Sequence, residues 1–285
     1  MAVVTCTELR EWLAQGSARL LHCSRFPHSS CLIPGAFDLV LERLSSLRDL
    51  VTALAGWGIG REELVVCYQR EGVDVASEVW WLLRTLGKDN TAVLEGGLLE
   101  WMKLGFPVTT QEPRVKPVAV WACQEAPQYL RPDSEIRSLQ ALGQAQVLST
   151  DPSIPNALFY DPAVGLLPDY HLAPPSVLQQ VLTGSGVNLQ EAVLTVVVGD
   201  SASVALLQLT SAGKRNLCVG MLSTEEFHSV PSVSQFLSPM ETVYMDVLGS
   251  PSLARSCCLS LASLKPVQSP AKVGRAERCA DCRVL

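Results

Sequence analysis

The side chains in this 285-residue chain that could do chemistry are ten cysteines and two polar turns, each following an apolar run. The first run, Leu64-Val65-Val66-Cys67-Tyr68, leads into Gln69, Arg70, Glu71 and Gly72. The second ends in Val198, Gly199, Asp200, Ser201, Ala202 and Ser203. A turn from a strand into a helix presents successive backbone N–H groups, which suits an anion and lowers the pKa of a thiol placed there. Neither turn holds a cysteine. Cys67 lies two residues before the first, at the end of the strand, and reads as a buried thiol, with a displaced nucleophile as the alternative. Asp200 reads as a helix cap. It also puts a negative charge where an anionic substrate would sit. Val73 stands six residues after Cys67, where a phosphatase loop of the Cys-x5-Arg type needs arginine.

The remaining chemistry is sparse. His22, His28, His171 and His228 are not at metal-ligand spacing with each other or with paired carboxylates, and there is no Gly-x-Ser-x-Gly elbow. Cys279-Ala280-Asp281-Cys282 and the Cys257-Cys258 pair could in principle make a tetrahedral zinc site. Adjacent cysteines chelate poorly, so the tail reads as unpaired thiols; a redox Cys-x-x-Cys activated by Arg275, Arg278 and Arg283 is the minor alternative. No metal or cofactor is expected.

Elements that would position the two turns follow from periodicity. Helices are predicted over residues 8–15, 39–55, 74–86 and 98–104, and strands over 19–23, 64–68 and 91–94. The run 64–68 is apolar throughout, as a parallel strand buried on both faces is. Pro113, Pro117, Pro127 and Pro132 mark a linker, with residues 118–123 as a candidate strand. The pattern then returns about 125 residues later, the step of a duplicated domain. Its helices fall at 134–142, 175–182 and 203–212, and its strands at 146–149, 194–198 and 216–219. Lys214-Arg215 reads as solvated loop charge. Pro239, Gly249, Pro251, Pro266 and Pro270 break any long element in the tail.

Composition narrows the class. The chain is 48% hydrophobic and 18% charged, with a net charge of −6 and a mean hydropathy of +0.22. No run approaches the ~20 apolar residues of a membrane span, and no basic stripe supports nucleic-acid binding. The apolar surplus fits either a well-filled core or a surface covered by partners. Scattered cysteines within apolar runs indicate a reducing compartment. The N-terminus has neither a secretory signal nor, with Glu8 and Glu11, the acid-poor character of a transit peptide.

Taken in order, Leu32-Ile33-Pro34-Gly35-Ala36, the Cys67 strand, Trp80-Trp81, Leu94-Glu95-Gly96-Gly97 and Gly105-Phe106-Pro107-Val108 resemble the rhodanese family, specifically its two-domain thiosulfate and mercaptopyruvate sulfurtransferases. In the second half only the strand–helix frame is similar; Leu167-Pro168-Asp169 is read in place of the Pro-Gly-Ala turn and Met221-Leu222-Ser223 in place of Gly-Gly. The resemblance implies an α/β fold of two rhodanese-like domains, each a central parallel sheet flanked by helices. Expected boundaries are 1–110 for the first domain, 111–132 for the linker, 133–235 for the second domain and 236–285 for an irregular C-terminal extension. It also implies that a cysteine would carry a persulfide in the second turn. Because Val198–Ser203 lacks one, both turns are expected to be vestigial and the chain to be a non-enzymatic accessory subunit of a protein assembly. Its partners would be other protein subunits, met in part through the C-terminal extension. The relatives' frequent address suggests a mitochondrial assembly such as the respiratory chain or ATP synthase, the cytoplasm being the other choice. The alternatives are an active sulfurtransferase using Cys67 and a small-anion binding module.

Overall fold

The computed structural model describes residues 2–27, 31–121 and 129–221. All lie within the compact unit Met1–Phe236; the unit Leu237–Leu285, His28, Cys123, His228, the turn at 222–223 and the tail cysteines lie outside the described residues.

The first half builds β1 (Val3–Val4), α1 (Cys6–Ala14), β2 (Ala18–Ser24), β3 (Ala36–Val40), α2 (Leu47–Gly56), β4 (Leu64–Tyr68), α3 (Asp74–Thr85), β5 (Thr91–Leu94) and α4 (Gly97–Lys103). Its strands pair in the order β1-β5-β4-β2-β3, every pair parallel. The second half builds β6 (Leu130–Pro132), α5 (Asp133–Ala141), β7 (Ala145–Ser149), β8 (Leu158–Phe159), α6 (Pro175–Gly184), β9 (Leu194–Val198), α7 (Ala202–Ser211) and β10 (Leu217–Met221). Its order, β6-β10-β9-β7-β8, is also all parallel. First, fifth, fourth, second and third strands thus neighbour one another in both sheets, which is the duplication expected from the repeat.

Local chemistry fixes the elements. Thr5 caps α1 in a reciprocal box with Glu8, so that helix starts two residues before the predicted position. Residues 39–55 are not one helix: Leu39 and Val40 end β3, Leu41–Arg43 is a single 3-10 turn, and α2 starts after Ser46, whose hydroxyl accepts from Asp49 N. The apolar spacing there is shared by a buried strand and a helix, and the Ser46 cap decides where one gives way to the other. Residues 118–121 join no ladder; Val118 donates to Ala55 O at 2.9 Å instead. The edge of the second sheet is taken by β6, within the stretch read as linker.

The second half also keeps the Pro-Gly-Ala turn, but not at 167–169. Ile154-Pro155-Asn156-Ala157 leads into β8 as Ile33-Pro34-Gly35-Ala36 leads into β3, and Asn156 (φ 60°) takes the left-handed place of Gly35 (φ 89°). Asparagine tolerates that conformation better than most residues.

Candidate functional site

Each candidate turn joins the fourth-ranked strand of its half to the next helix, at the carboxyl ends of the strands, where open α/β sheets place their ligands. The strands are central and buried: Cys67 and Tyr68 in β4, and Val196, Val197 and Val198 in β9, are at most 3% exposed. The helices α3 and α7 pack on each other, with the hydroxyls of Ser77 and Ser203 3.2 Å apart.

Two buried lysines show how the turns differ. Lys88 Nζ donates to the carbonyls of Gly60, Arg61 and Glu63 at 2.7, 2.8 and 2.6 Å. Lys214 Nζ donates to Gln190 O and, at 2.5 Å, to Val193 O. Both lysines are at most 1% exposed. This overturns the reading of Lys214 as solvated charge: a Gly-Lys pair just past a helix folds back to tie the loop before the central strand, leaving Arg215 exposed. Burial pulls the Lys88 ammonium down to about 8. Each strand begins directly after its anchor carbonyl, Glu63 or Val193. From that carbonyl to its lysine the first half spans 25 positions and the second 21. The Ser77–Ser203 contact spans 126 positions, the same step that relates Lys88 to Lys214, so the helices are in register. The four residues missing from the second half therefore lie between strand end and serine: two from the turn and two from the first turn of the helix.

The first turn, residues 69–73, is wrapped around its own glutamine. Gln69 Oε1 accepts from Ala76 N at 2.8 Å, and its Nε2 donates to Glu71 O and to Asp74 Oδ1 (2.7 Å). A Cβ on Gly72 (φ 87°) would sit 2.9 Å from that amide nitrogen. Arg70 is half-buried and Glu71 exposed. Behind the turn, Leu98 N and Leu99 N donate to Gln69 O and Arg70 O at 2.9 and 3.1 Å. Gly97 (φ 57°) permits this approach, since a Cβ there would lie 2.4 Å from Gln69 O.

In the second turn only residues 199–201 separate β9 from α7. Thr150, just past β7, fills it: its Oγ1 accepts from Ser201 N at 3.2 Å, and it would meet a Cβ on Gly199 (φ 105°) at 2.4 Å. Val198 ends β9 and is buried, Asp200 and Ser201 are exposed, and Ala202 and Ser203 already belong to α7 and are buried. Asp200 is not the expected cap. The cap position belongs to Ser201, which makes no side-chain cap bond, because the shortened turn puts Asp200 one residue too early.

No described thiol reaches either turn. Cys6, Cys23, Cys31, Cys67 and Cys218 are at most 4% exposed. Burial pushes Cys6 and Cys218 up to about 12. It also raises Cys23, whose thiol donates to Leu21 O at 3.5 Å. Among the described residues there is no cluster of three metal-ligating side chains. Sequence reasoning missed Thr150, Lys88 and Lys214. The Gly-Lys pair repeated at one interval was a readable signal; nothing in the sequence marked Thr150.

Two parallel five-stranded sheets of one topology, with paired strand-to-helix turns, define a tandem rhodanese-type protein. Residues 5–104 match the rhodanese-like domain, and the second half repeats its strand order in an all-parallel sheet. Over 87 residues the chain is 36% identical to thiosulfate/3-mercaptopyruvate sulfurtransferase 2 of Arabidopsis thaliana, covering 27% of this chain and 25% of that protein. Over 51 residues it is 39% identical to the mitochondrial sulfurtransferase 1 of the same plant, covering 18% and 14%. The aligned segments thus span a quarter or less of these relatives. The solved 3-mercaptopyruvate sulfurtransferase SseA of Escherichia coli superposes with a TM-score of 0.67 at 19% identity, over 76% of this chain and 96% of that one.

Proposed function

We propose that this chain is a rhodanese-like protein without sulfurtransferase activity, kept for its shape as an accessory subunit of a larger protein assembly. The observation that carries this reading is the second turn. It is two residues shorter than its counterpart, and Thr150 occupies its Ser201 amide, which leaves less of the amide run that holds an anion and activates a thiol. The first turn spends its helix-terminal amide on Gln69. Acidic side chains (Glu71 and Asp74 at one turn, Asp200 at the other) oppose an anionic sulfur donor. The mitochondrial home named for one Arabidopsis relative supports a mitochondrial assembly. No helix among the described residues is long and apolar enough to cross a membrane.

The names of the relatives favour a second reading, sulfur transfer from thiosulfate or 3-mercaptopyruvate through Cys67. Against it, Cys67 has no exposed surface, and a persulfide must be reached by both donor and acceptor. Incubation of the full chain with either donor and cyanide separates the two. We expect no thiocyanate above the protein-free rate, and a native mass in cell extract far above that of one chain. Turnover that disappears in Cys67→Ser would replace the accessory role with catalysis. Migration of the native protein as a free monomer would remove the assembly part of the reading.

A further inference from the structure

Between Ser138 and Gly213 the chain has no lysine or arginine, although it carries 22 in all, and it has five carboxylates there: Asp151, Asp161, Asp169, Glu191 and Asp200. The cations that bound this stretch are already engaged. Arg137 pairs with Asp133 at 2.7 Å, Lys214 is buried against its carbonyls, and Arg215 lies beside Glu191, its N–H on that carboxylate at 2.9 Å. Five of the eleven exposed large apolar side chains among the described residues fall within residues 159–177: Phe159 (48%), Val164 (55%), Leu167 (44%), Tyr170 (42%) and Val177 (40%). Single exposed apolar residues are ordinary on a protein surface, whereas a group of them rimmed by polar residues marks a contact.

The backbone that carries these five is fixed. Tyr160, Leu172, Ala173 and Leu178 are buried beneath it. Asp161 caps the 3-10 turn Pro162–Gly165, and Ala173 N donates to Gly165 O at 3.0 Å. Leu166 and Leu172 bridge antiparallel, and Tyr170 N closes the loop on Leu167 O at 3.0 Å. Phe159 stands on β8, the outer strand of its sheet. The first half covers its own outer strand, β3, with the start of the linker: Leu32 bridges Thr109, and Asp38 N donates to the Glu112 carboxylate at 3.1 Å. Among the described residues β8 pairs with β7 alone.

We propose that residues 159–177 are the surface by which this chain holds a protein partner, through a segment of that partner in which lysine or arginine stands beside apolar side chains. The inference rests on the accessory-subunit reading and names the face that reading needs. An apolar centre with a charged rim is the usual build of a protein contact. Here the rim is acidic: Asp161 and Asp169 are both exposed. Where the face meets the first half, His171 lies beside Gly96, with Glu95 and Glu100 as further carboxylates; Lys103 there is 3.4 Å from Glu100. Carboxylates repel the phosphates of nucleic acid and of anionic lipid. They also repel the same face of a second copy. A basic, apolar protein segment satisfies both the rim and the centre.

Fluorescence anisotropy of the full chain with two short labelled peptides tests this, one alternating leucine with lysine and the other leucine with glutamate. The leucine–lysine peptide should bind about tenfold more tightly than its acidic twin. Asp169→Lys and Leu167→Ser should each weaken it about tenfold, while Glu62→Lys, in the exposed loop before β4, should leave it unchanged. Should Leu167→Ser fail to fold, Val177→Ser on α6 takes its place. Equal binding of the two peptides, an equal loss in Glu62→Lys, or indifference to the surface substitutions would each overturn the proposal. A photocrosslinker at Val164 of the native protein should join a lysine- or arginine-bearing peptide of another protein; a crosslink to a second copy or within one chain defeats it. Native mass separates the two readings. A free wild-type monomer removes the accessory role itself, whereas a large assembly that keeps its mass in Asp169→Lys and Leu167→Ser removes this surface alone.

Discussion

The two strand-to-helix turns began as copies of one device and are now closed in different ways. The first keeps its length and folds around Gln69, whose amide satisfies a helix-terminal N–H, a carbonyl and the Asp74 carboxylate. The second is two residues shorter and borrows Thr150 from the neighbouring strand end. An amide cradle is costly to leave empty, because each buried N–H without a partner costs about 1–3 kcal/mol. Filling the cradle and shortening it each relieve that cost. The anchors around the turns did not diverge: Lys88 and Lys214 make the same kind of carbonyl contacts, and Ser77 still meets Ser203. Shared packing holds the frame in place while the turns drift.

The contrast can be broken by substitution. The largest effect is expected at Gly97→Ala, which combines a left-handed backbone with a contact of 2.4 Å to Gln69 O. It should lower unfolding free energy by about 3 kcal/mol or more in urea titration. Lys88→Met should cost about 3 kcal/mol, since three carbonyls lose their donor. Lys214→Met should cost less, with two; equal costs would mean that the two anchors are not graded by their contacts. Gln69→Ala should cost about 2 kcal/mol and Thr150→Ala about 1 kcal/mol, in proportion to the bonds lost. The reverse order would show the second turn to be the more tightly closed. The finest test is gain of function: Asp200→Cys alone should give no thiocyanate from thiosulfate and cyanide, because the turn is short and Thr150 already occupies its Ser201 amide. Activity from that single change would remove turn length from the argument.

Much of the frame could be read from the chain. Uniform apolar runs gave β4 and β9 their bounds, and the glycines at 87 and 213 stopped the helices. Residues 39–55 were misjudged because apolar spacing alone cannot tell a buried strand followed by a short helix from one longer helix. The second Pro-x-Ala turn was overlooked at Ile154–Ala157 because Asn156 stands in for glycine.

The amino-acid order by itself determined that two α/β halves repeat and that neither turn carries a thiol, since strand and helix periods and residue identity are local properties. Only the tertiary structure decided that Thr150 closes one turn and that Lys214 is buried. Those contacts join residues 21 to 51 positions apart, and side-chain reach across a folded sheet leaves no periodic trace in the chain.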